Sequence, residues 1–354
     1  MQADDLRRLR IGYVPYDPSL RPPGDRRRFP FWARRRDVPF DVARPGERYD
    51  LVVLSARADI TTWALHPVDG TRIVYDLIDS YLALPRRSVG NVLRGAAKFA
   101  ARETRRLALD YHGAIEAMCR RADAVVCSTP EQADTIRPLN ANVHDVLDAH
   151  VDVVQAVKDD YAGGHPFRLV WEGLPYTLDD FLPLAPVLRG VASRRPLELH
   201  LHTDVTFHKY GGRFVRQDAR QIASRILPTA VVHQWDEAGL AAAITRCDLA
   251  VVPLDLRDPL ARSKPENKLL LFWRMGMPAV VSATPAYRRV MAAAGGPQLV
   301  CETPDEWAAV LEEAIADADL RRVAAQAGRR YVEERHAESD TLRRWDDVVA
   351  SVLG

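Results

Sequence analysis

The sequence predicts an α/β protein built of two doubly wound, parallel-sheet domains, and three observations carry that reading. The 354 residues divide into roughly two domains at about 150 residues each. Short apolar runs alternate with longer helical patterns along the chain, as expected for parallel strands joined by helical crossovers. The alternation breaks once, over Val157–His165, where Asp159, Asp160, Gly163, Gly164 and then Pro166 crowd together and read as a linker. Domains are therefore expected over residues 1–160 and 166–336, with a separate last helix over 337–354.

Strand patterns in the first half fall near Arg10–Val14, Asp50–Ser55, Arg72–Asp76, Asp123–Cys127 and Asn142–Leu147. Each is a short apolar run that ends in a polar loop. Helical spacing runs from about Val89 to Arg121 and resumes after Pro130. The second half repeats the arrangement, with strands near Phe167–Trp171, Leu197–His202, Ala230–Gln234, Asp248–Pro253, Pro278–Ser282 and Gln298–Cys301. In Ala337–Leu353 the residues Leu342, Trp345, Val348, Val349 and Val352 recur at helical spacing, which predicts a helix packed across the domain junction.

Composition removes several function classes. Hydrophobic residues are 47% and charged residues 27%, ordinary values for a folded soluble chain. A formal net charge of +1 argues against a dedicated nucleic-acid binder. Cys119, Cys127, Cys247 and Cys301 lie scattered in apolar stretches with no C-x-x-C pair, so they read as reduced core residues of a cytoplasmic protein. The segment Met1–Arg10 is too charged for a signal-peptide core. No apolar run approaches the ~18 residues of a membrane span. Of 49 basic residues only Lys98, Lys158, Lys209, Lys264 and Lys268 are lysines, so a lysine is the marked choice. The chain has no G-x-G-x-x-G, P-loop, G-x-S-x-G or H-E-x-x-H motif, which removes support for the chemistries those motifs serve. Asp317-Ala-Asp319 matches a metal pattern but sits in an alanine-rich helical stretch.

The most informative stretch is Cys247-Asp-Leu-Ala-Val-Val-Pro-Leu-Asp255, followed by Ser263-Lys-Pro-Glu-Asn-Lys-Leu-Leu-Leu-Phe-Trp-Arg-Met-Gly-Met-Pro-Ala-Val-Val-Ser282. The order strand, loop, helix, Gly-x-Pro, strand resembles the donor-site region of GT-B glycosyltransferases of the GT4-like type. Val170-Trp-Glu-Gly173 and Arg121-Ala-Asp-Ala-Val-Val-Cys-Ser-Thr-Pro-Glu-Gln132 support the match. It spans most of Arg10–Leu353 and is stronger in the second domain. The resemblance implies a GT-B architecture of two Rossmann-like domains facing a cleft. A nucleotide-sugar donor would lie mainly on the second domain, with a glycan or lipid-linked acceptor against the first. No cofactor or metal is implied, the donor being a substrate.

Chemistry supports that placement of the donor. A helix starting after Ser263 would aim its amides and the positive end of its dipole at a diphosphate. Lys264 and Lys268, at i and i+4, would share one side of it, with Arg262 and Asn267 alongside. Ser263-Lys-Pro-Glu266 also reads as a capping box, so Glu266 is either a cap or a donor contact. Glu172 and Gly173 end the first strand of the second domain; Gly173 would allow close backbone approach and Glu172 would bind hydroxyls or pair with an arginine. One departure stands out. The family often carries two glutamates separated by seven residues, and aligning Gly276-Met-Pro278 puts those positions at Ser263 and Leu271.

In the first domain, the loop from Pro15 to Phe29 holds Gly24 and Arg26–Arg28. Gly24 and Arg26 are donor-side candidates by the resemblance; a solvated basic loop, or contact of the arginines with an anionic membrane, is the alternative. Asp76 and Asp79 stand at the end of the third strand, where doubly wound sheets bind ligands. They are the catalytic candidates; the alternative pairs Asp76 with an arginine of the basic loop and lets Asp79 cap a turn. The region from Val89 to Arg121 mixes Arg94, Lys98, Arg102, Arg105 and Arg106 with Val92, Leu93, Phe99, Leu107 and Leu109. It reads as a core-facing helix with a solvated face, to which a lipid-linked acceptor would give a use.

The resulting expectation is a cytoplasmic, metal-independent glycosyltransferase of hexosyltransferase type, with peripheral contact at the inner face of the membrane as an option. By resemblance it is retaining and works in surface polysaccharide or glycoconjugate synthesis. A catalytically impaired GT-B binding or scaffold protein and a GT-B-fold nucleotide-sugar epimerase are the alternatives. Base, sugar, acceptor and oligomeric state stay open.

Overall fold

The computed structural model describes residues 6–66, 70–86, 89–208 and 216–354, without the side chains of 89–92 and 94. Lys209, the first five residues of Met1–Arg10 and the side chains of Val92 and Arg94 therefore lie outside the described residues. The chain forms two compact units, Met1–Ala149 with Glu338–Gly354, and His150–Ala337. Among the described residues no helix is long and apolar enough to cross a membrane.

The first unit is a six-stranded parallel sheet of β1 (Ile11–Val14), β2 (Asp41–Val42), β3 (Leu51–Leu54), β4 (Arg72–Asp76), β5 (Ala124–Cys127) and β6 (Val143–Asp145), in the order β2-β1-β3-β4-β5-β6. Its central strands are apolar on both faces because helices cover both. Val52 and Leu54 join Tyr75, Val125 and Cys127 under Trp63, Ile115 and Met118. Leu51 and Val53 point the other way, toward Phe29, Trp32 and Trp345, as the two-residue period of a strand requires.

The last helix, Glu338–Leu353, belongs to this unit, where Trp345, Val348, Val349 and Val352 complete the second core face. Trp345 is fully buried and meets Phe29 edge-on at 5.9 Å. Trp345→Ala is expected to destabilise the first unit by about 3–5 kcal/mol through the cavity it leaves, read as a lower urea midpoint.

The single long helix expected from Val89 to Arg121 is two, Val89–Ala100 and Tyr111–Arg121. Arg102 adopts a left-handed φ of 59°, which ends the first. Asp110 starts the second by accepting the Gly113 amide at 2.8 Å, an N-cap bond. The helix Phe29–Arg36, unforeseen in the sequence, buries Phe29, Phe31 and Trp32.

The second unit has β7 (Phe167–Glu172), β8 (Leu197–Thr203), an antiparallel ribbon of β9 (Thr206–His208) and β10 (Arg216–Asp218), then β11 (Ala230–Gln234), β12 (Leu249–Val252), β13 (Ala279–Ser282) and β14 (Val300–Cys301). The sequence pattern gives no sign of the ribbon. The main sheet is parallel, in the order β11-β8-β7-β12-β13-β14, the doubly wound arrangement in which strand order reverses between β7 and β12. Val157–His165 is packed onto this unit rather than being a free linker. Buried Arg321 donates to the Tyr161 and Ala162 carbonyls at 2.7 and 2.9 Å, and the Lys158 amide donates to Met275 O at 2.9 Å. Asp317 caps the helix Ala318–Arg335 through the Leu320 amide, and Asp319 pairs with Arg322 at 3.0 Å; both are helix-end residues and hold no metal pattern together.

Candidate functional site

In the second unit the carboxyl ends of β7 and β12 diverge at the point where strand order reverses, the place where open α/β sheets leave a crevice for ligands. Two segments separated by 96 residues meet there. The Lys268 ammonium donates to the Glu172 carbonyl at 2.6 Å and lies 4.3 Å from the centre of the Trp171 ring, a cation–π distance. Gly173 leaves room for it: a Cβ at that position would fall 1.8 Å from the Lys268 nitrogen and displace the ammonium.

The helix carrying Lys268 is Asn267–Arg274, so it starts three residues later than the sequence suggested. Ser263 instead closes the preceding turn Pro259–Arg262, its hydroxyl donating to Pro259 O at 2.8 Å. The expected capping box does not form. Glu266 occupies the N-cap position without a side-chain capping bond; it is buried, and its carboxylate accepts from Arg289 at 3.0 Å. Lys264 precedes the helix and pairs with Asp180 at 3.2 Å, so the two lysines do not share a helix side. Asn267 is the first helical residue, and Arg262 is exposed. The helix ends in a Schellman turn at Gly276, with φ 68° and the Met277 amide on Phe272 O. Leu271 is fully buried in the core, so that position presents no polar group.

Three residues missed in the sequence complete this cluster. Asp180 and Arg289 are the ion-pair partners just named, and Tyr287 is buried between acids. Burial first, then the carboxylates of Glu266, Asp180 and Glu172, push the Tyr287 phenol well above its ordinary range. The only sequence signal for Tyr287 and Arg289 was their place in the first turns after Thr284, which caps its helix by accepting the Tyr287 amide. The Leu254 amide donates to Ser282 Oγ at 2.8 Å, which ties the loop after β12 to the end of β13.

Next to Glu172, β8 and β11 stack three imidazoles, with His200 Nδ1 2.9 Å from His233 Nε2 and the His202 and His233 rings 4.6 Å apart. Burial, then His233 and His200, lower His202 to about 4. The folded value lies below the ordinary value near 6.5, so the unfolded chain takes up this proton first. Stability is therefore expected to fall between about pH 6.5 and 4, on the order of 2–3 kcal/mol. Denaturant midpoints across that window, compared with those of His202→Gln, check it: the variant should show the shallower dependence. Among the described residues no group of three or more His, Cys, Asp or Glu is arranged to hold a metal ion.

The first unit corrects two expectations. Asp76 is buried and gripped by Arg28, with Nε 2.7 Å from Oδ2 and Nη2 2.6 Å from Oδ1, so it is not available to take a proton from a substrate. Gly24 faces the Tyr16 ring, and a Cβ at that position would lie only 2.5 Å from it; its small size serves packing. Arg26 is half-buried at the end of the turn Pro23–Arg26, and Asp25 next to it accepts from Tyr13 Oη at 2.7 Å and the Tyr16 amide at 2.8 Å. Asp79 lies in the loop after β4 and accepts from Tyr81 Oη at 3.2 Å.

The chain matches no protein-family model and no curated protein. Solved structures do resemble it. TarM superposes with a TM-score of 0.58 at 9% identity over 84% of this chain and 54% of its own length. Sucrose-phosphate synthase from Thermosynechococcus elongatus gives 0.58 at 13% over 85% and 73%. The α,α-trehalose-phosphate synthase (UDP-forming) of Burkholderia vietnamiensis gives 0.52 at 13% over 88% and 75%. The chain has the GT-B fold. It spans about half the length of TarM. In the GT-B frame the Lys268 cluster lies in the second Rossmann-like unit, and the C-terminal helix closes the core of the first. One fold hosts many reactions, and the residues of the site decide among them.

Proposed function

We propose that this GT-B protein is a glycosyltransferase that moves a sugar from a nucleotide-diphosphate sugar to a glycan or lipid-linked acceptor. The observation that carries the reading is the Lys268 ammonium held against Trp171 and the Glu172 carbonyl at the strand-order reversal. A fixed cation on the first turn of an eight-residue helix suits the diphosphate, whose charge grows as the sugar leaves. The bond from the anomeric carbon to the phosphate oxygen breaks with its electrons going to that oxygen, and the acceptor oxygen bonds to the carbon. The acceptor proton passes to the departing phosphate or to Asp79. Glu172 is the candidate for sugar hydroxyls, and Arg262, Lys264 and Asn267 flank the donor.

The test is calorimetric titration against UDP, GDP, ADP and TDP. UDP leads the panel because a TarM variant was solved with UDP and the trehalose-phosphate synthase is named as UDP-forming. One nucleotide is expected to bind; binding of none overturns the reading. Release of the nucleoside diphosphate from the matching sugar donor only when acceptor is present separates transfer from epimerisation. A second reading, a non-catalytic binding protein, is favoured by Leu271 being sealed in the core, and nucleotide binding without turnover against any acceptor would decide for it.

A further inference from the structure

Three polar side chains of the second unit are enclosed without being paired. Glu172, His202 and Tyr287 are 7%, 4% and 1% exposed. Among the described residues none of the three makes a side-chain hydrogen bond or an ion pair, and none has its polar atoms sealed in the core. Enclosing a polar group is unfavourable unless something bonds it, so three such groups in one place point to a ligand.

The three belong to one place. Glu172 lies opposite His202 in the register of β7 and β8, so both project from the same face of the sheet. The Gly173 amide donates to His202 O at 3.1 Å, which ties the two strand ends together where the Lys268 ammonium holds the Glu172 carbonyl. Tyr287 enters from the first turn of the helix Pro285–Ala293, and its phenol feels Glu266, Asp180 and Glu172. Of those acids, Asp180 is matched by Lys264 and Glu266 by Arg289. Glu172, among the described residues, has no such cation.

The groups on offer select a chemistry. The Glu172 carboxylate only accepts hydrogen bonds, the Tyr287 phenol keeps its proton and donates, and His202, lowered to about 4, is neutral at pH 7 with one N–H and one lone pair. A sugar hydroxyl donates and accepts at once, so a set of them satisfies all three side chains. A ligand carboxylate brings Glu172 no proton and meets its unmatched charge. We infer that Glu172, His202 and Tyr287 hold the hydroxyls of an uncharged hexosyl group on the donor and reject a hexuronosyl donor. The inference rests on the donor reading above and narrows it to one class of sugar.

The full chain is titrated calorimetrically with UDP, with the glucose, galactose and N-acetylglucosamine esters of UDP, and with UDP-glucuronate; the same series is built on GDP, ADP or TDP where that is the nucleotide bound. The tightest hexose donor is expected to bind about tenfold more tightly than the nucleotide alone, and the hexuronate about tenfold or more below that donor. Glu172→Gln and Tyr287→Phe should each lower the ratio of hexose-donor to nucleotide affinity about five- to tenfold, and Glu172→Gln should also narrow the gap between hexose and hexuronate. The wild-type comparison stands whether or not the variants fold. A nucleotide that binds with no gain from any hexose, a hexuronate that binds as tightly as the hexose, or ratios unchanged in both variants would overturn this inference and leave the donor site standing. No binding of any nucleotide overturns the donor reading and this inference with it.

Discussion

Lys268→Ala is expected to weaken nucleoside diphosphate binding by about 30- to 100-fold, the size of one charge-assisted hydrogen bond of about 2–3 kcal/mol. The second unit should stay folded, because neighbouring Leu269, Leu270 and Leu271 keep the helix in the core whether or not the ammonium holds the Glu172 carbonyl and the Trp171 ring. Gly173→Ala makes the same point from the other side of the contact. Its methyl would take the space of the Lys268 nitrogen, so a displaced cation should lose affinity although no charge has been removed. Calorimetry on both variants, with thermal melting as the fold control, is the measurement. Affinity unchanged in both would remove Lys268 from the donor site.

Arg28→Ala is expected to cost the first unit about 3–5 kcal/mol, the usual result of leaving one member of a buried ion pair alone. Domains are stable by only about 5–15 kcal/mol, so this substitution brings the unit close to unfolding. Arg28 is fully buried, bonds both Asp76 oxygens, and donates to Val146 O at 2.7 Å and Asp148 Oδ1 at 3.1 Å. Burial alone would lower its guanidinium, and Asp76 and Asp148 more than reverse that. Arg28→Met/Asp76→Leu removes both charges and should recover most of the loss. Urea denaturation of the single and double variants tests this; a loss under about 1 kcal/mol for Arg28→Ala would show that the pair carries little weight.

Particular residues show why some features are legible in the sequence and others are not. The runs Leu51–Leu54, Ala124–Cys127, Leu249–Val252 and Ala279–Ser282 lie fully buried in central strands, and such runs announce parallel strands before any contact is known. Gly276-Met-Pro278 marks a helix end because a left-handed residue is needed there. Lys268 and Glu172-Gly173 stand out separately in the sequence as site residues, with nothing local to say that they touch. By contrast, Ser263 to Glu266 fits a capping box by local pattern alone, yet Glu266 is drawn into the interior by Arg289, which comes 23 residues later. Asp76 is identical in sequence terms to a catalytic carboxylate until Arg28, 48 residues earlier, folds onto it.

The sequence by itself determined the α/β class, the tandem organisation, most strands and the helix that ends the chain, because hydrophobic period and turn residues are local properties. Only the tertiary structure decided which charged side chains meet. It paired Arg28 with Asp76, Arg289 with Glu266 and Lys264 with Asp180, and left Lys268 on Trp171. Those choices depend on strand order and on the cost of burying an unmatched charge, and neither is written in the spacing of residues along the chain.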